Sequence, residues 1–119
     1  MNKFNALKQL WSMFGLQAYE ESTVPSTAVM PYITYQVTTG SVDGEIPLSA
    51  SLWYRGTSWA QIMEKATEIE QTIDTQIKID GGYLKVRKNR SNFASPMSDP
   101  SDDKIRRIVL RVNAEFITN

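Results

Sequence analysis

Asp99, Asp102 and Asp103 are the residues best suited, by type and spacing, to carry chemistry in this sequence. Clustered carboxylates can hold Mg²⁺ or Ca²⁺, and a metal-dependent hydrolase built on them needs no histidine. The triplet lacks the glycine and the spaced ligands of a calcium loop, and it sits in a Pro/Ser-rich segment. A solvated acidic loop is therefore the stronger reading. Asp43 and Glu45, in a second acidic segment, take the same discount.

Composition narrows the remaining chemistry. The 119 residues include no cysteine, which removes disulfides, thiolate zinc sites and cysteine nucleophiles. They include no histidine, which removes the commonest general base and the Ser-His-Asp triad. Gly81-Gly82 is the only glycine pair, and it opens a strand rather than a helix, so no phosphate-binding loop is read there. The expectation is a protein that is not an enzyme and carries no cofactor or metal.

Two basic clusters remain. One is Lys85, Arg87, Lys88 and Arg90; the other is Lys104, Arg106, Arg107 and Arg111. If their strands pair, the clusters fall together near Tyr83 and Phe93, and arginines interleaved with aromatics would suit single-stranded nucleic acid. Against that, 13 basic residues balance 13 acidic ones, and the pI near 6.2 supplies no general attraction to nucleic acid or anionic lipid. A solvated or subunit-contacting face is the preferred reading, with nucleic acid as the alternative through Arg87, Arg90, Arg107 and Arg111.

The elements that must position these groups are legible from periodicity. Phe4, Leu7, Trp11 and Phe14, with Leu10, form an apolar stripe on a helix over about 2–14, and Gly15 follows as a left-handed cap. Residues 20–31 read as a polar loop punctuated by Pro25 and Pro31. Residues 32–39 and 46–54 read as paired strands across the loop 40–45. In the second of these, Ile46, Leu48, Ala50, Leu52 and Tyr54 face one way. A helix over about 59–75 presents Ile62, Ala66, Ile69 and Ile73 as its stripe, with Ser58 and Gln61 as a capping box. Its exposed side carries Glu64 and Glu68, an unfavourable pair one turn apart.

A hairpin then joins residues 77–80 to 83–87 through Gly81-Gly82. Residues 91–103 hold two prolines, four serines and three aspartates, which predicts no regular structure. The last strand covers about 104–118, with Ile108, Leu110, Val112, Ala114 and Phe116 inward and Arg107, Val109, Arg111, Asn113 and Glu115 outward. The sum is one α+β domain over 1–119, a single mainly antiparallel sheet with two helices packed on one face, in the order α-β-β-α-β-β-β. No signal-peptide core or membrane-length apolar run is visible, so the expectation is a protein that works inside a cell or in something assembled there.

The same order of elements carries a resemblance. A short amphipathic first helix, a Pro-rich loop, Met30-Pro31-Tyr32-Ile33-Thr34-Tyr35, a second strand ending in Trp53-Tyr54, a helix over Ser58 to Ile73 and a long closing strand resemble the tail terminator (tail completion, head–tail joining) proteins of long-tailed double-stranded DNA bacteriophages. The resemblance covers almost the whole chain and rests on element order more than on any residue. A related neck or head-closure adaptor is the next reading. The resemblance implies a structural virion protein, assembled in the host cytoplasm, that forms a homo-oligomeric and usually hexameric ring. Its partners would be the tail-tube protein and a head-completion or connector protein, with no membrane. The extended 91–103 segment departs from the pattern. From the residues themselves, the expected subunit or tube contacts are Asp43, Glu45, Arg87, Arg90, Phe93, Asp99, Asp102, Asp103, Arg107 and Arg111.

Overall fold

Strict alternation in the last strand decides where the layers of the molecule lie. A computed structural model describes residues 1–37, 44–98 and 101–118. In chain order the elements are α1 (Lys3–Ser12), β1 (Gln17–Glu20), β2 (Tyr32–Tyr35), β3 (Ile46–Arg55), α2 (Ala60–Thr72), β4 (Thr75–Ile79), β5 (Gly82–Lys88), β6 (Ala94–Ser98) and β7 (Ile105–Thr118). The strands form one curled sheet in the order β1-β2-β3-β7-β5-β4, with β6 also paired to β7. All pairs are antiparallel except β1 with β2. Both helices cover one face, so the α+β architecture is the one the periodicities imply.

β7 is the hub. On one side it pairs along Ile105–Ala114 with β3. On the other side its first half pairs with β6 and its second half with β5. Its inward residues Ile108, Leu110, Val112 and Ala114 are buried in one cluster with Ile33, Leu52, Leu84 and Val86. From the helices, Leu7, Leu10, Trp11, Ile62, Ile69 and Ile73 close over that cluster. Asn2 caps α1, its Oδ1 accepting from the Asn5 N–H at 2.8 Å. At the start of α2 the expected Ser58–Gln61 capping box does not form: Trp59 is the N-cap and has no side-chain capping bond. Ser58 Oγ instead accepts from the Ala60 N–H at 3.0 Å, a turn one residue earlier.

Four further local expectations are corrected. Phe4 is 48% exposed rather than core, because Ala6 and Leu10 are also buried and pull the apolar arc of α1 away from it. The hairpin turn is Asp80-Gly81, since Ile79 pairs with Gly82. Gly81 takes the required φ of +77°, and Gly82 belongs to β5. The stretch before the first polar loop contains a strand, β1, which lies parallel to β2 and buries only Ala18 fully. With β6 this makes the order α-β-β-β-α-β-β-β-β.

β6 is the fourth correction, because it runs through Pro96 in the segment expected to be irregular. The Arg111 N–H donates to the Phe93 carbonyl at 2.7 Å. Antiparallel alternation then makes Ser95 and Met97 the hydrogen-bonded positions opposite β7 and turns Pro96 toward the free edge. A missing N–H is tolerated there, where no ladder needs it. Gln36 and Val37 complete the described part of the strand expected to run to residue 39; the remainder, with Asp43 and most of the 40–45 loop, lies outside the described residues.

Candidate interface on the open sheet face

Among the described residues, no second layer covers the face of the sheet away from the helices. Its residues follow from the pairing. Tyr32, Trp53, Arg107 and Met97 stand in one row across β2, β3, β7 and β6, and Thr34, Ser51, Val109 and Ser95 form the next. Further along lie Asn113 beside Arg87, then Glu115 beside Lys85. The outward set expected for the last strand, Arg107 to Glu115, is on this face.

The face is built rather than merely left bare. Thr34 and Ser51 are buried beneath larger side chains. The Trp53 Nε1–H donates to Thr34 Oγ1 at 2.9 Å, and the Arg107 Nε–H donates to Ser51 Oγ at 3.1 Å. The Arg107 guanidinium lies 4.8 Å from the centre of the Trp53 ring, a cation–π contact that fixes both groups. Tyr19 meets Tyr32 edge-on at 5.7 Å. Arg111 donates from Nη1 to Ser95 Oγ at 2.7 Å, and Ser95 donates to Asn92 Oδ1 at 2.9 Å. Satisfied buried hydroxyls and stacked arms make this face an ordered, amphipathic surface.

Between β5 and β6 the strand is interrupted. The Asn89 N–H donates to the Arg111 carbonyl, and the Arg111 N–H to the Phe93 carbonyl, so residues 90–92 loop out from opposite one residue of β7. Asn89 Oδ1 accepts from the Ser91 and Asn92 N–H groups and shapes the excursion. It places Arg90 in an open cleft of about 660 Å³ shared with Glu70, Asp74 and Lys88.

The expected contact residues divide accordingly. Arg87, Arg107 and Arg111 come together on the open face, while Arg90 stands beyond the end of β5. Phe93 is 7% exposed and belongs to the core, so it offers no free surface, and Tyr83 lies at the far end of β5 from it. The second basic cluster splits between faces. Arg106 points to the helix side, donating to the Thr57 carbonyl at 2.8 Å and lying over Trp59 at 5.3 Å.

Asp102 accepts from the Lys104 N–H at 2.9 Å and pairs with Arg55 at 3.2 Å, while the carbonyl of exposed Asp103 accepts from Arg106. Glu45 is exposed just ahead of β3. Asp99 lies outside the described residues. Among the described residues no three acidic side chains converge as a metal site would require. Tyr19, Tyr32 and Trp53 were not singled out as contact residues. The outward parity of Trp53 was visible, but its row-mates are set by strand register.

Two phenols have shifted acidity. Burial raises Tyr35, and the Glu20 carboxylate adds to the effect. Burial also raises Tyr54, opposed by Lys65 and reinforced by Glu68 and Glu64. A raised folded-state value favours the neutral phenol, so its stabilisation is complete below the unfolded value of 10.0 and is lost as pH climbs through the folded values. Ultraviolet titration of tyrosinate is expected to show these two ionising above the ordinary range, with unfolding free energy falling over the same alkaline window. Tyr35→Phe should flatten that fall; an unchanged slope in this variant would contradict the assignment.

Taken together, the fold and this face define a two-layer α+β domain with one prepared, uncovered sheet surface. Compared with known proteins, the chain matches no family model, no curated protein and no solved structure.

Proposed function

We propose that this protein is a structural subunit of a bacteriophage tail or neck, a ring-forming tail terminator that caps the tail tube and joins it to the head. The observation that carries the reading is the open sheet face. It is aromatic and basic, locked by its own hydrogen bonds, and left without a covering layer among the described residues. A sheet normally buries an apolar face and solvates the other with small or charged groups. Tyr, Trp, Met and Arg are instead the residues enriched where proteins meet. The resemblance in element order supplies the kind of assembly; the surface supplies the place of contact. A related head-closure adaptor would use the same face.

Sedimentation velocity of the purified protein, alone and with tail-tube protein, tests the reading. Discrete closed oligomers, or co-sedimentation with tubes, are expected. A strict monomer that neither assembles nor binds tubes would sink it. The same cations beside aromatics favour one other reading, single-stranded nucleic acid. That reading requires salt-dependent binding of an oligonucleotide to the monomer, weakened about tenfold or more when Arg87 and Arg111 are lost.

A further inference from the structure

The outer surface of α2 and the open sheet face lie on opposite sides of the molecule and carry opposite charge. Residues 60–74 hold four carboxylates, Glu64, Glu68, Glu70 and Asp74, against one ammonium, Lys65. That ammonium is turned inward, donating to the Phe14 carbonyl at 3.0 Å and to Glu68 at 2.6 Å. Glu70 pairs with Lys88 at 3.7 Å and shares a cleft with Asp74 and Arg90, which leaves Glu64 and Glu68 as the acids presented outward. Glu64 and Glu68 are exposed one turn apart, a repulsive spacing that an isolated helix does not favour. On the other side, the outward strand positions Lys78, Lys85, Arg87, Arg107 and Arg111 stand with Glu115, and exposed Glu45 lies just ahead of β3 at the same end.

We propose that α2 of one subunit docks on the open sheet face of a second copy, head to tail, with Glu64 and Glu68 set against Lys85, Arg87 and Arg111. This rests on the reading of that face as an assembly surface and names what covers it. The spacing suits the contact. Along α2 the two glutamates are about 6 Å apart. Arg87 and Arg111, two residues along and one strand across, are about 8 Å apart. Met63, 47% exposed and next to Glu64 along α2, brings apolar area to the helix side of the joint.

The helix supplies the sheet with its missing third layer. Because the two patches differ, the contact is heterologous and repeats, closing into a ring when the rotation allows. Zero net charge lets copies add without accumulating repulsion.

The test uses two double variants of the full chain, Glu64→Lys with Glu68→Lys, and Lys85→Glu with Arg87→Glu. Circular dichroism and thermal melts verify that each is folded. The parent should self-associate at low salt and weaken between about 0.05 and about 0.5 M NaCl as screening shortens. Each variant alone should associate about a hundredfold more weakly, since like charges then face each other. An equimolar mixture should regain association, because the reversed helix of one variant meets the reversed sheet of the other.

Folded variants that self-associate like the parent would overturn the docking, as would a mixture that stays monomeric. If the parent forms rings that the swaps leave untouched, the docking fails while the ring reading stands. A parent that is monomeric with and without tube protein removes both. Oligonucleotide binding by a monomeric parent, abolished by Lys85→Glu with Arg87→Glu, would assign the face to nucleic acid instead.

Discussion

Replacing Leu110 by alanine should lower the free energy of unfolding by about 3–4 kcal/mol, near the upper part of the range for buried leucines. Leu110 is fully buried at the middle of β7. Its cross-strand neighbours on the core face are Ala50 and Ala94. Two methyl side chains cannot move into the space a lost leucine leaves, so the cavity persists and its surroundings forfeit contact. Domains of this size hold about 5–15 kcal/mol in all, so the loss removes a large share of the total and should lower the urea midpoint well below that of the parent. Val109→Ala, one residue along and on the other face, should lose less, about 1–2 kcal/mol. Val109 is buried at 8% exposure but lies outside the core cluster, so the loss is that of two methyl groups without an enclosed cavity. Urea denaturation of the two variants side by side measures the difference, and equal losses would mean the two faces are equally packed.

The second large effect is expected at Trp11. Its ring is fully buried, tilted against Phe14 at a centroid distance of 6.3 Å, and its Nε1–H has no partner among the described residues. Trp11→Ala should cost about 3–5 kcal/mol through lost volume. Trp11→Phe should cost far less, about 1 kcal/mol, because removing an unpaired buried N–H returns part of a penalty of about 1–3 kcal/mol. The large gap between phenylalanine and alanine is the diagnostic result in urea denaturation. A phenylalanine variant as unstable as the alanine one would show that the indole N–H is satisfied in solution.

These two sites also show how far the fold could be read in advance. Leu110 and Trp11 were both assigned inward by period alone, two for the strand and 3.6 for the helix, because each element buries one clean stripe. Where one face is not clearly apolar, period is silent. Gln17-Ala18-Tyr19-Glu20 offers a single fully buried residue and no alternation, and it is a strand only because β2 lies beside it. Ala94–Ser98 contains a proline, which argues against a strand in general but not at an outer edge. Which strand occupies the centre of a sheet is likewise a long-range property that no local window contains.

The open sheet face is legible by half. Alternation placed Arg107 and Arg111 outward, and the structure puts them there. The row Tyr32–Trp53–Arg107–Met97 is written across four strands, so its members are distant in sequence and adjacent only through register. Phe93 shows the opposite failure: an aromatic beside a loop, in a segment without period, is in fact anchored in the core by the interruption between β5 and β6. The acidic partner surface was placed mainly in the loops. Among the described residues, the carboxylates around α2 now form a second acidic region, visible from Glu64 and Glu68 once the helix is seen to lie opposite the basic face.

The position of β7 has a consequence for how this protein is made. Ribosomes deliver strands in order, and the strand that joins β3 to β5 and β6 is delivered after all of them. Until residues 105–118 leave the exit tunnel, β3 has no neighbour on that side and the β4–β5 hairpin has no sheet to join. Until then the nascent chain carries exposed strand edges and apolar helix stripes, a state in which aggregation competes with folding. Pro96, aimed at one of those edges, withholds an N–H donor from any stray strand during that interval.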